Sequence, residues 1–139
     1  MAKWLWVTGP EWYLTKTGRE RQFEGRSWTW TCHKDTKAGD LVLLYRAKLR
    51  KDIAYLLEAT RDAYAVSADP RWPKFPWDCE VTGLRKFTNP VTLVQLRAAP
   101  KLVDCWFLKA DLCQSAFLIQ EPHWKVLKKL IEKNGNVPV

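Results

Sequence analysis

The chain has 139 residues, 47% of them hydrophobic and 27% charged, and a net charge of +8. That length suits one domain with a real core and is too short for two. No apolar run approaches the ~20 residues of a membrane-spanning helix, and the opening "MAKWLWVTG" lacks the apolar stretch and cleavage site of a secretory signal. The expectation is a single cytoplasmic, monomeric domain over residues 1–139.

Taken in chain order, "KWLWVTG" reads as an edge-entering strand, broken by Gly9-Pro10. "PEWYLTKTGRERQF" then predicts a helix of two turns ending near Gly18, with Pro10 at its first position and Glu11 in its first turn. "FEGRSWTWT" is extended by its tryptophan and threonine content. The continuous apolar run Leu41 to Tyr45 predicts a strand covered on both faces. A basic loop, "RAKLRKD", follows. In "DIAYLLEATRDAYAV" Ile53, Tyr55 and Leu57 alternate as in a strand, while Ile53, Leu56, Leu57 and Tyr64 also fit a helix. The preceding strand and short loop favour a hairpin partner. "SADPRWPKFPWD" is a proline-stiffened loop and "WDCEVTGLRKF" is extended. Thr92 and Gln95 form a capping-box pattern that opens a short helix, which Pro100 closes. "QSAFLIQ" is a last short strand. "EPHWKVLKKLIEKNG" is the clearest helix, with Trp124, Leu127 and Ile131 in one stripe and Gly135 as its stop. Only the final "NGNVPV" looks unstructured. This order describes an α+β fold with a compact, barrel-like antiparallel sheet.

Charge and aromatic content carry the functional signal. The basic excess is spread over both halves of the chain, so it belongs to the surface of the folded domain and favours polyanions, nucleic acid first among them. Solubility alone would be served by the same charge. The four cysteines, at 32, 79, 105 and 113, form no CxxC, and the two histidines are far apart. No zinc spacing, cofactor motif, paired-carboxylate motif or nucleophile elbow is present, so a non-enzymatic protein with free thiols and no cofactor is expected. Nine tryptophans are more than one core of this size usually needs. Trp4, Trp6, Trp106 and Trp124 stand where core packing explains them. Trp12 could pack or rim a pocket. Trp28 and Trp30 share one side of a strand, and Trp72 lies in the proline-rich loop.

The segments "KWLWVTGPEWY", "EGRSWTW", "KAGDLVLLY", "IAYLLEATRDAY", "NPVTLVQLR" and "SAFLIQEPHWKVL" occur in the order of the EVE domain. The chain resembles that family over residues 3 to 133. The family is PUA-like and similar to YTH domains. The resemblance implies a pseudo-barrel of mostly antiparallel strands flanked by short helices. It also implies a pocket that reads a modified, typically methylated, base in DNA or RNA. By the same resemblance the cage walls are Trp28, or in its place Trp30, and Trp72. Thr8 and Ser27 would hydrogen-bond the base edge. The expected geometry has Trp28 and Trp72 facing each other across a cleft one heterocycle wide.

Arg26, Lys34, Arg71 and Lys74 flank these positions and would hold phosphates beside an extruded base. Two other readings share the same residues: a general RNA-binding module, or a binder of a free nucleoside or small metabolite.

Overall fold

The computed structural model describes residues 1–66, 76–112 and 114–139. Along the chain run β1 (Lys3–Thr8), α1 (Pro10–Tyr13), β2 (Ser27–Thr31), β3 (Leu41–Arg46), β4 (Asp52–Ala59), β5 (Tyr64–Ala65) and β6 (Trp77–Thr92). They are followed by α2 (Leu93–Ala98), a 3₁₀ turn at Pro100–Leu102, α3 (Trp106–Lys109), β7 (Ala116–Leu118) and α4 (Glu121–Lys133). The strands form one curled sheet, a half-barrel of order β2-β6-β4-β3-β1-β7, with β5 also on β6. Among the strands of the described residues, β1 and β3 pair in parallel and the others antiparallel, with one isolated parallel bridge between Glu24 and Gly83.

Both faces of this sheet are covered, which is why β3 and β4 read as unbroken apolar runs. Leu5, Leu43 and Tyr45 point to one face, where they meet Leu96 of α2, Phe107 of α3 and Trp124, Leu127 and Ile131 of α4. Trp4, Trp6, Val42 and Leu44 point to the other and pack with Tyr13 of α1, Phe23 and Tyr55. The α4 stripe is as its spacing predicts: Trp124, Leu127 and Ile131 are its buried residues. Each such burial contributes about 1.5–3 kcal/mol. The capping box is formed in full, with Gln95 N–H donating to Thr92 Oγ1 at 3.2 Å and Thr92 N–H donating to Gln95 Oε1 at 3.1 Å.

Four expectations are corrected. β1 is interior, not an edge, because β3 takes its one side and β7 the other. α1 is a single turn rather than two. Its chain leaves helical geometry at Leu14 (φ −111°, ψ 148°), and Thr15 Oγ1 accepts from Arg19 N–H at 3.1 Å. Such local side-chain bonds compete with helix propagation. Trp106 is not core: it is 60% exposed on the outer side of α3. The C-terminal segment is tied down. Asn136 Nδ2 donates to the Asn89 and Ile131 carbonyls at 2.8 and 3.0 Å, and Arg85 donates to the Val137 carbonyl at 2.6 Å. Sequence reading also left α3 and β5 unmarked, both too short to show a period.

A buried charge cluster locks the β3–β4 turn. The Arg46 guanidinium donates twice to Asp52, at 2.8 and 2.9 Å, and reaches Glu20 at 3.2 Å. Glu20 is held below the ordinary carboxylate range, first by its hydrogen bond from Arg50 and then by the charges of Arg46 and Lys86. A depressed carboxylate stabilises the fold above its unfolded value and ceases to do so as it is protonated. The cluster should therefore weaken on acidification below about pH 4.5, the usual glutamate value. In urea melts, Glu20→Gln is expected to show a smaller loss of stability between neutral and acid pH than the unsubstituted chain.

Candidate nucleic-acid interface

The half-barrel does not close, and the opening between its two ends is the candidate site. β2 is one end of the strand order and β7 the other, and β7 covers only part of β1. Beyond Trp6, β1 is bordered by Ser115, whose carbonyl accepts from Val7 N–H at 2.9 Å. Gly9 and Pro10 then turn the chain sharply into α1, which projects Trp12 over the gap. From the opposite side β2 contributes Thr29, Trp30 and Thr31. Asp78 stands beside Thr31 in the β2–β6 register. Together with Val7, Thr8, Gly9, Glu11 and Ser115, these residues enclose an open cleft of about 450 Å³.

Its aromatic wall is a corner. The Trp12 and Trp30 rings lie 5.9 Å apart at 79°, edge to face. Touching at that angle, they leave no slot between two parallel rings. A flat ligand would lie on one indole with its edge against the other. Trp12 stands at the mouth and is 43% exposed. Deeper in, Thr8 is 3% exposed and its Oγ1 has no hydrogen-bond partner among the described residues. A buried hydroxyl without a partner costs about 1–3 kcal/mol, which a polar ligand atom in the cleft would recover. Among the described residues no lysine or arginine lines the cleft, whereas Glu11 and Asp78 both do. Burial pushes the Asp78 carboxyl above the ordinary carboxylate range.

The residues singled out by sequence fall at unequal distances from this opening. Thr8, Trp12 and Trp30 line it. Trp28 does not; it packs behind Trp30, 6.3 Å away at 86°, and against Phe23 at 5.1 Å. Its Nε1 is buried without a partner. Ser27 lies outside the cleft and its hydroxyl is engaged with Thr82 Oγ1 at 2.7 Å. Arg26 and Lys34 are exposed and do not line the cleft. Trp72, Arg71 and Lys74 fall outside the described residues, as does Cys113. Glu11, Thr29, Thr31, Asp78 and Ser115 were missed. Only Asp78 carried a usable signal, as a carboxylate at the start of a strand paired with the tryptophan strand.

A curled mixed half-barrel with few short helices is the PUA-like fold. The chain belongs to the EVE domain family, whose model matches residues 2–130. The fold recurs in Rpa0253 from Rhodopseudomonas palustris (22% identity, 96% of this chain and 94% of that one, TM-score 0.73). A hypothetical protein from Leishmania major shares it at 18% identity over 98% of both chains, with a TM-score of 0.73. Human THYN1, solved in complex with 5-methylcytosine-containing DNA, shares it at 15% identity over 99% of this chain and 100% of that one (TM-score 0.69). A comparison with curated proteins finds no match. No helix among the described residues is long and apolar enough to cross a membrane.

Proposed function

We propose that this chain binds nucleic acid carrying a modified, methylated base, which it takes into the Trp12–Trp30 cleft. The observation that carries the reading is the perpendicular indole pair over a buried hydroxyl, Thr8 Oγ1, that lacks a partner. An extruded base can stack on one ring and set its methyl group against the other, while Thr8 bonds its polar edge. Stacking of this kind contributes about 1–3 kcal/mol per base, and a sheltered methyl adds about 0.8 kcal/mol. The complex of human THYN1 with 5-methylcytosine-containing DNA supports the class of ligand.

The net charge of +8 supplies the sequence-independent attraction to the backbone. Arg26 and Lys34, with Arg71 and Lys74, are the phosphate contacts assigned under this reading, and Trp72 is assigned as a further wall of the aromatic cage. Every described residue of the cleft comes from one chain, and the reading takes the protein as a monomer. The role is binding, with no chemical step.

The test is fluorescence anisotropy at fixed salt with two single-stranded oligonucleotides, one carrying a single 5-methylcytosine and one unmodified. Trp30→Ala should weaken binding to the modified strand about tenfold or more, within the stacking range. It should leave the unmodified strand within about threefold, since that strand is held by phosphate contacts. Trp28→Phe, behind the cleft, should change either affinity little. An unsubstituted protein that binds both strands equally overturns the reading.

A further inference from the structure

Two cysteines meet at the end of β2, and base binding gives them nothing to do. The register sets them together. Trp30 pairs with Cys79 and Thr31 with Asp78, and the Cys32 N–H donates to the Trp77 carbonyl at 3.0 Å. Cys32 and Cys79 are therefore diagonal neighbours on one face of the β2–β6 pair, since residues two apart along a strand share a face. Both pack with the apolar cluster of Trp4, Trp6 and Tyr13. Both are free thiols, and Cys79 donates a hydrogen bond to the Cys32 sulfur.

The pair is asymmetric. Cys32 is half-buried, whereas Cys79 is sealed from solvent. The hydrogen bond from Cys79, with another from Thr36, holds the Cys32 thiol below its ordinary value, against its own burial and the charge of Asp78. Cys79 is pushed well above the ordinary thiol range, first by its bond to Cys32 and then by burial. The sulfur that solvent can reach is thus the one that ionises, and a protonated sulfur stands behind it. Cys105 is the contrast. It is buried, and that burial pushes its thiol up to about 11, the setting of an unreactive cysteine.

We propose that Cys32 and Cys79 form an oxidisable dithiol, a site that reacts with a hydroperoxide and closes to a reversible disulfide between the end of β2 and β6. The Cys32 thiolate attacks one oxygen of the O–O bond. An S–O bond forms, and the other oxygen leaves as hydroxide or alkoxide and takes up a proton. The Cys79 sulfur then attacks the Cys32 sulfur. The S–S bond forms, the S–O bond breaks, and hydroxide departs with the Cys79 proton as water. Two thiols give up two electrons and the peroxide receives them. Diagonal neighbours stand about 7–8 Å apart at Cα, at the ~7 Å limit for bridging, so closure needs a shift of about 1 Å. Cys32 can supply it because it lies just past Thr31, the last residue of β2. The bond would fasten the chain to β6 two residues beyond Trp30.

The full chain, reduced and desalted, would be treated with a small excess of hydrogen peroxide, blocked with N-ethylmaleimide in denaturant and digested without reduction. The intact mass should fall by two hydrogens, a peptide joining Cys32 to Cys79 should appear, and dithiothreitol should reverse both. Cys32→Ser should slow oxidation of Cys79 by about tenfold or more, because the reachable thiolate is gone. Cys79→Ser should halt the reaction at a Cys32 sulfenic acid, captured by dimedone. Thermal melts like those of the unsubstituted chain would show that both variants fold. Recovery of Cys32 and Cys79 as blocked thiols after peroxide overturns the proposal. So does a Cys32 joined to Cys105, to Cys113 or to a second chain. Both of these outcomes are read on the unsubstituted protein and do not depend on the folding of a variant.

Discussion

Asp52→Ala is expected to lower folding stability by about 3 kcal/mol, the low end of the ~3–5 kcal/mol typical of breaking a buried ion pair. Arg46 is 5% exposed and Asp52 8%, so removal of the carboxylate leaves a guanidinium in the interior with two donors unmet. Glu20, at 3.2 Å from the same guanidinium, remains and keeps the loss from being larger. The effect should reach the cleft. Arg46 pairs with Thr8 in the β1–β3 register and lies 6.0 Å from the Tyr13 ring, and Tyr13 Oη donates to the Ala47 carbonyl at 2.7 Å. The end of β1 and the turn that presents Trp12 are thus both anchored on this cluster. Urea unfolding should show a lowered midpoint at unchanged slope, and oligonucleotide binding should weaken as well. Replacing the pair together, as Arg46→Met with Asp52→Leu, should restore much of the stability, because two apolar groups bring no stranded charge. A loss under about 1 kcal/mol in the single variant would mean that Glu20 alone compensates Arg46.

Gly83→Ala is expected to cost about 3 kcal/mol or more, at or beyond the upper end of ordinary overpacking. The backbone at Gly83 is not in a conformation reserved for glycine; the constraint is space. A Cβ there would collide with the Phe23 carbonyl oxygen and stand 2.7 Å from its carbon. Those are main-chain atoms and cannot rotate aside. The close approach exists because the segment before β2 crosses β6 at this point. Gly25 N–H donates to the Gly83 carbonyl, and Gly83 N–H donates to the Arg26 carbonyl, both at 2.8 Å. Pushing that crossing away would displace the start of β2 and with it Trp30. The variant should therefore lose both melting temperature and affinity for the modified oligonucleotide. A normal melt would show that the crossing can yield.

Local chemistry made much of the fold legible. The β3–β4 hairpin, the capping box of α2 and the buried stripe of α4 follow from periodicity and turn residues, and each is present as read. The helix after Pro10 was overread, because helix-start signals do not say how far a helix propagates, and Thr15 ended this one. Trp106 was misassigned because a single helical turn has no stripe to reveal its outer side. The C-terminal tail looked free because its anchors, Asn89 and Arg85, lie about 50 residues upstream.

The sequence by itself determined that tryptophans at 28 and 30 share a side of one strand, that a glycine-proline turn follows β1, and that the domain is basic. The tertiary structure alone decided which indole borders the opening, since strand alternation gives both the same parity and says nothing of distance along the strand. It alone brought Thr8, Trp30, Asp78 and Ser115 to one cleft, from four strands or strand ends far apart in the chain. The physical reason is that the opening lies where a curled sheet fails to close, and closure is set by the pairing order of all the strands together.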